Sequence, residues 1–496
     1  MIRRRRVSYI LGGIIGVAVI CVAVCFGVQA ITKTGVFRVP GVVYYDESLS
    51  EDELNRLRGV FVDELNLDKD VFVSAESYFE MPELTEGEFL EEVYVPVTSF
   101  YSLETEVSEA CADNVMAGTN CGYTMIPVAQ LDFKQKLLKL NGKYYLDNFN
   151  AGAVFRVVKF ESEKYEEEVL PLIDGMFTKV FPSKGDVLTL AQTGVTAFSR
   201  RMNAKMNEVG NGGYFAENIG QWLSSFDYTH TSNEASFSDY APTAGVTGTP
   251  ICADQRFKDT LLAIGLDIVE LTGNHNLDCG DEAAEQSIEF YLNAGIKIVG
   301  GGRNADEAAV PLEIDDKSNH VTMLAYNEST GGATYDDTPG ANQFYEDVVR
   351  TQIETAKKRG DLVIVDMQYY ECNAYASEYE DATCDAADSA AGDQVGLFRS
   401  LIDMGADVVV GTSAHQPQTY ELYGNGVIYY GLGNLFFDQT KWPGTTRSLV
   451  LVHHIYKDKL LQTEIIPTVY DETLQTAKMD EETKRWYLER LQSVRP

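Results

Sequence analysis

Basic residues are scarce in this chain. There are 40 Lys and Arg against 75 Asp and Glu, a formal net charge of −35 over 496 residues. A nucleic-acid binder needs a basic stripe to meet phosphates, so nucleic acid is excluded as a partner. The acidic balance suits an exposed ectodomain; a solvated surface is the plainer reading and divalent or basic partners the other. No CxxC pair occurs, so nothing has the spacing of a zinc site. The glycine run at Gly300–Arg303 lacks a following Lys-Ser/Thr and reads as a turn, not a phosphate loop. Internal repeats and long low-complexity tracts are missing too.

What is present begins at the N-terminus. Arg3 to Arg6 precede about 25 mostly apolar residues, Val7 to Ile31. That length spans a bilayer as a helix. The arginines stay cytoplasmic, which puts the rest of the chain outside: a single-pass membrane protein with an extracytoplasmic bulk. A cleaved signal peptide ending near GVQA competes, but the apolar run exceeds the usual signal core of about 7–15 residues. Beyond the span lie Cys111, Cys121, Cys252, Cys279, Cys372 and Cys384. Short loops suggest Cys111–Cys121 and Cys372–Cys384, which leaves Cys252 with Cys279; buried free thiols are the alternative.

Four segments follow from texture. Residues 1–32 are tail and anchor. Residues 33–180 mix aromatic strand-like runs with amphipathic helices, a smaller α+β domain without a catalytic motif. Residues 181–470 alternate short apolar, β-branched runs with helical stretches, which predicts an α/β domain around a buried sheet. Residues 471–496 read as a closing helix. In the third segment polar residues gather where strands end, the usual place for a site in α/β folds. His453-His454 fall on a strand-like run, one facing each side, and read as structural.

The strand-end clusters are TGVTAFSR (Thr193–Arg200), SNEASF (Ser232–Phe237), TGNHNLDCG (Thr272–Gly280), DMQYYE (Asp366–Glu371), GTSAHQPQTYE (Gly411–Glu421) and GLGNLFFDQ (Gly431–Gln439). As an ordered set they resemble the CapA family of capsule or poly-γ-glutamate synthesis proteins, over roughly residues 187–455. The main domain of that family is similar to calcineurin-like metallophosphatases. The resemblance implies a sandwich of two β-sheets flanked by helices, and an envelope role in making, exporting or anchoring an anionic polymer. It implies Asn274 as metal ligand and catalytic group, His275 as proton donor or phosphate contact, and Glu234, Gln368 and His415 as further metal ligands. Glu371 competes with Gln368 for its place. Arg200, Asn233, Asn276, Asp278, Gln418, Asn434 and Asp438 complete the expected ligand-binding set.

This sequence departs from the metallophosphatase pattern. Thr193-Gly194 stands where Gly-Asp supplies a metal carboxylate, and Ser413-Ala414-His415 keeps one histidine of His-x-His. One carboxylate, one imidazole and two amides suit two transition metals poorly. They suit one hard divalent cation, or a metal-free pocket that holds a carboxylate-rich polymer through amides, imidazoles and Arg200. Three functions follow: polymer synthesis, export or anchoring; metal-dependent hydrolysis of phosphoester or polymer amide bonds; and a non-catalytic surface scaffold.

Overall fold

The computed structural model describes residues 42–496 apart from 62–66, 68, 117–118, 178, 245–249, 330, 335–336, 370–392 and 441–442. The apolar run Val7–Ile31, Glu371 and the Cys372–Cys384 pair lie outside the described residues. Among the described residues no helix is long and apolar enough to cross a membrane. They form two compact units. One takes in the described residues up to Thr98 with those of Thr105–Gln130 and Leu137–Pro182; the other takes those of Ser99–Glu104, Leu131–Lys136 and Ser183–Pro496.

In the first unit a sheet runs Val43–Tyr45, Val71–Glu80, Ala151–Glu161, Glu88–Ser99, Thr124–Pro127. Its first pair is parallel and the rest antiparallel. Val71, Val73, Ala75, Val158 and Phe160 bury one face against Leu57 of the helix Glu51–Val60. That helix starts in a capping box: Glu53 N donates to Ser50 Oγ (3.2 Å) and Ser50 N to Glu53 Oε2 (2.6 Å). The same carboxylate takes a forked pair of bonds from Arg156, at 2.8 and 2.9 Å. A Cys111–Cys121 disulfide closes a loop here.

The second unit holds fourteen strands that matter for the site: β1 Leu188–Thr196, β2 Tyr228–Asn233, β3 Ile268–Glu270, β4 Lys297–Val299, β5 Leu312–Asp316, β6 Asn319–Asn327, β7 Leu362–Gln368, β8 Val408–Gly411, β9 Tyr420–Tyr423, β10 Gly426–Tyr429, β11 Asn434–Phe436, β12 Arg447–Tyr456, β13 Lys459–Val469 and β14 Ala477–Lys478. One sheet has the order β4-β3-β2-β1-β12-β13-β14, with β11 beside β1; the other has the order β5-β6-β7-β8-β10-β9. Strands β1 to β4 run parallel, as do β6, β7, β8 and β10. Parallel neighbours need crossovers, and helices supply them. The larger of these are α1 Arg201–Val209, α2 Lys258–Ala263, α3 Asp281–Asn293, α4 Glu346–Arg359 and α5 Gln394–Met404; α6 Glu481–Gln492 closes the chain. Helix α4 has acids in its first turn, Lys357, Lys358 and Arg359 in its last, and stops at Gly360 in the left-handed region, φ 96°. Those placements complement the helix dipole and satisfy the terminal carbonyls.

Period-two alternation sorts the strand residues into layers. Leu188, Leu190, Leu449 and Leu451 of the first sheet meet Leu362, Ile364, Val408 and Val410 of the second in a core between the sheets. The intervening Ala191, Val450 and Val452 face α1, α2 and α3 through Met202, Leu261 and Ile288. On the far side Val363, Val365 and Val409 face α4 and α5 through Val349, Ile353 and Phe398. The unit is therefore a mixed α/β sandwich, two sheets with helices on both outer faces. Tyr487, Leu488 and Leu491 of α6 join the inter-sheet core.

One histidine of the 453–454 pair faces this interior. His453 is fully buried, with Nδ1 2.9 Å from Thr463 Oγ1 and Nε2 3.1 Å from Gln192 Oε1. The glutamine oxygen only accepts, so Nε2 carries the proton and the threonine hydroxyl donates to Nδ1. Burial first, then His454 and His230, pushes its pKa down to about 3. Below the unfolded value near 6.5 the unfolded chain binds a proton that the folded chain refuses, so this stability falls with pH from about 6.5 towards 3. His453→Gln is expected to flatten the urea-unfolding free energy between pH 6.5 and 5 by up to about 1.4 kcal/mol per pH unit. A slope equal to that of the wild type would refute the assignment.

Candidate functional site

The inter-sheet layer changes character along its strands. It is apolar where the strands begin. Two residues on from Leu190, Ile268 and Ile364, the same face carries Gln192, Glu270 and Asp366, all fully buried, and His230 lies beside them on β2. His230 Nε2 lies 3.2 Å from Asp366 Oδ2, a polar contact across the two sheets that is an ion pair when the imidazole is protonated. Asp366 Oδ1 accepts from Gln192 Nε2, which links it through Gln192 to His453. Glu270 Oε1 accepts from the Thr272 N–H at 2.6 Å and from the Thr272 hydroxyl. Burial first, and then the Asp366 charge, pushes the Glu270 carboxyl above the usual carboxylate range.

Above this layer the strand-end loops close a ring. Ala197 N donates to Phe436 O (2.8 Å), tying the start of the loop after β1 to the end of β11. Glu234 N donates to Thr196 O (2.9 Å), tying β2 to β1. Gly273 packs on Glu234 so closely that a Cβ there would lie 2.8 Å from Glu234 Cα, so only glycine fits. Gln368 Nε2 donates to Asn274 Oδ1 (3.1 Å), joining β7 to the loop after β3. Thr412 N donates to Met367 O (3.0 Å), and three residues on His415 Nδ1 lies 2.9 Å from Asn434 Oδ1. That returns the ring to β11. Glu234, Asn274, Gln368, His415 and Asn434 thus surround one region at the carboxyl ends of the strands.

Two imidazoles are oriented here. Asn434 Nδ2 donates to Thr445 O (3.0 Å) and Gln439 Oε1 (3.2 Å), so its Oδ1 faces His415 and Nδ1 of that ring carries the proton. His275 Nδ1 lies 3.0 Å from Asp278 Oδ2, which also accepts from Ile251 N at 2.9 Å. Burial alone would raise the Asp278 carboxyl; the His275 and Ile251 bonds outweigh it and hold it below its ordinary value. Both rings therefore direct Nε2 away from their anchors as the basic nitrogen. Arg200 adds a cation. Its Nη2 lies 2.5 Å from Asp438 Oδ1, Arg201 N donates to Asp438 Oδ2 (3.0 Å), and the guanidinium lies over Phe437, 4.9 Å from the ring centre. The imidazole of His415 lies 5.1 Å from the centre of that same ring. Arg200 holds φ 45°, a conformation that costs a non-glycine residue energy, so the flanking contacts over-determine it.

Three of the expected ligand-binding residues make hydrogen bonds within the fold. Asn233 Nδ2 donates to Tyr291 Oη (2.5 Å) and Ala235 O (3.1 Å). Asn276 Nδ2 donates to Leu271 O (2.8 Å). Gln418 Oε1 accepts from Gln394 Nε2 (3.1 Å). Residues that the sequence reading passed over are His230, Gln192, Glu270, Asp366 and Phe437. For Asp366 and Glu270 the signal was a polar residue inside an apolar run, as in DLVIVDMQ and DIVELTG.

The donor set does not fit a two-metal centre. Among the described residues no group of three or more His, Cys, Asp or Glu side chains converges as metal ligands. The amide oxygen of Asn274, its ligating atom, already accepts from Gln368. What the ring offers is amides, oriented imidazoles, a buried carboxylate and a guanidinium, a set suited to hydrogen bonding.

Comparison with known proteins gives the same segment. Residues 189–439, just over half of the chain, match the family described as "Bacterial capsule synthesis protein PGA_cap". A "Capsule biosynthesis protein CapA" of Bacillus anthracis is 27% identical over 209 residues, 41% of this chain and 47% of that protein. A "PGA biosynthesis protein CapA" of Bacillus subtilis (strain 168) is 28% identical over 218 residues, 43% and 53% respectively. A "probable polyglutamine synthesis accessory protein" of Mycobacterium tuberculosis is 29% identical over 191 residues, 36% and 47%. The chain spans about half the length of these curated relatives.

Asp366→Ala removes the acceptor of Gln192 and the partner of His230 at a fully buried position. Breaking such a pair from one side costs about 3–5 kcal/mol. Chemical denaturation is expected to show a loss of that size, and a loss below about 1 kcal/mol would show that the layer is not coupled as described.

Proposed function

The chain belongs to the bacterial capsule synthesis protein PGA_cap family, and from that premise we propose that it binds an anionic, carboxylate-rich envelope polymer during the polymer's synthesis, export or anchoring. The observation that carries this reading is the ring of oriented hydrogen-bonding groups at the strand ends, with Arg200 stacked on Phe437 beside His415. A carboxylate needs donors that are fixed before it arrives; the Arg200 guanidinium supplies them, and Nε2 of His275 and His415 donates to a carboxylate when the ring is protonated. The names of the curated relatives, capsule and PGA biosynthesis proteins, support poly-γ-glutamate as the first polymer to test. Outward display on the membrane is part of the proposal. Arg3 to Arg6 ahead of the apolar run support it, as do two disulfides, which persist in oxidising compartments.

Hydrolysis is the second reading, and the His275–Asp278 pair favours it. A carboxylate-oriented imidazole can give or take a proton at Nε2, and a single hard divalent cation beside Glu234 and His415 would supply Lewis acidity. A scaffold role with no ligand at the ring is the third.

Fluorescently labelled poly-γ-glutamate titrated into the full chain separates these readings. Saturable binding that weakens at least tenfold, about 1.4 kcal/mol, in Arg200→Gln supports the proposal. No binding by the wild type supports the scaffold. Shortening of the polymer on incubation with magnesium, calcium, manganese or zinc makes hydrolysis the function. A further outcome follows from the net charge of −35. An acidic protein repels a polyanion at long range, and the screening length falls from about 30 Å at 0.01 M salt to about 8 Å at 0.15 M. The association rate is therefore expected to rise with salt over this range, the reverse of a basic polyanion binder.

A further inference from the structure

The loop that carries His275 is fastened at three points to one short strand pair. Ser236–Phe237 and Cys252–Ala253 run parallel, with Ser236 opposite Cys252. Ser236 Oγ donates to Asn276 O at 2.6 Å. Ile251 N donates to Asp278 Oδ2 at 2.9 Å. Cys252, fully buried, is bonded to Cys279, with the two Cα atoms 5.9 Å apart. These fastenings fall on Asn276, Asp278 and Cys279, the residues that follow His275. Asp278 is the pivot: one carboxylate oxygen takes the Ile251 N–H from the clamped strand and also faces His275 Nδ1.

We infer that the Cys252–Cys279 disulfide is a positioning element for His275, acting through Asp278 to fix which ring nitrogen carries the proton. An ionised carboxylate only accepts, so Asp278 selects the form with the proton on Nδ1. Its aim depends on the Ile251 N–H, and the disulfide holds Ile251 and Asp278 in register. Cutting the bond frees the Asp278–Cys279 turn from Ile251 while both sheets keep their cores. The loop is then fully ordered only where thiols are oxidised. The inference rests on reading this loop as part of the polymer site, and its readout needs no polymer.

The test uses full chain labelled with ¹⁵N-histidine. Its six histidines are assigned by single His→Gln variants, and spectra are taken at a pH where the rings are neutral. In the oxidised chain both His275 and His415 are expected in the Nδ1–H form. Reduction by excess dithiothreitol transfers two electrons and two protons to the sulfurs as the reagent closes to its cyclic disulfide. In the reduced chain, and in Cys252→Ser/Cys279→Ser, His275 is expected to lose the Nδ1–H preference while His415 keeps it. Cys111→Ser/Cys121→Ser leaves both unchanged. Asp278→Ala releases His275 with the disulfide intact, and Asp278→Asn, whose Oδ1 still accepts, restores the preference. An unchanged His275 after reduction or in Asp278→Ala overturns the inference. So does simultaneous loss of the His415 and His453 signals, which would make the bond a general folding element. If polymer binding fails but His275 responds as stated, the proposed function falls and this inference stands.

Discussion

The contact between His230 and Asp366 sets the geometry on which the site depends. It joins β2 of one sheet to β7 of the other at 3.2 Å, with neither side chain exposed. Elsewhere the two sheets meet through Leu, Ile and Val, and such contacts tolerate sliding because dispersion has no direction. A buried polar pair does not tolerate it. Moving either strand by one residue would take His230 away from Asp366 in a fully buried layer, at a desolvation cost of several kcal/mol. The pair therefore pins the register between the sheets. The Gln192 and His453 links extend the pin to β1 and β12.

From that pin the site follows by strand geometry. Residue 368 lies two positions beyond 366 on the same face of β7, which brings its amide up to Asn274. Residue 234 lies four beyond 230, at the point where β2 leaves the sheet and Gly273 packs against it. The same strands are apolar at one end and polar at the other, so one sandwich provides both a core and a site. Fixing the strand ends in this way lets the loops carry oriented groups with little ordering left to do on binding.

Much of this was legible in the sequence. Short β-branched runs alternating with helical stretches announced an α/β domain around a buried sheet, the family resemblance implied the two-sheet sandwich, and the clusters TGNHNLDCG, GTSAHQPQ and GLGNLFFDQ marked the strand ends. The buried layer was harder. A strand covered on both faces shows no polar alternation, so Asp366 in LVIVDMQ gives no sign of which sheet it faces. His230 and Asp366 are 136 positions apart, and only the fold reveals their contact. Asn233, Asn276 and Gln418 carried site-like chemistry in site-like motifs, yet they bond to neighbouring backbone, a tyrosine and a glutamine. Residue type predicted that they would be bonded but not to what. The disulfide between Cys252 and Cys279 was one of fifteen pairings open to six cysteines, and short-loop closure elsewhere left it as the remaining choice.

The chemistry of the ring also bears on why this donor set differs from that of a two-metal centre. Metal ligation demands several anionic or imidazole donors converging on a point, with their lone pairs uncommitted. Here Asn274 Oδ1 is committed to Gln368, Nδ1 of His415 to Asn434 and Asp438 to Arg200. Each bond fixes a direction instead of a charge. For a chain of net charge −35 that distinction matters. Long-range attraction cannot bring an anionic polymer to it, so selectivity has to come from short-range contacts that operate once the polymer has arrived. Preset donors with buried anchors are the arrangement that makes such contacts strong, because a hydrogen bond to a carboxylate gains most where neither partner has to reorganise.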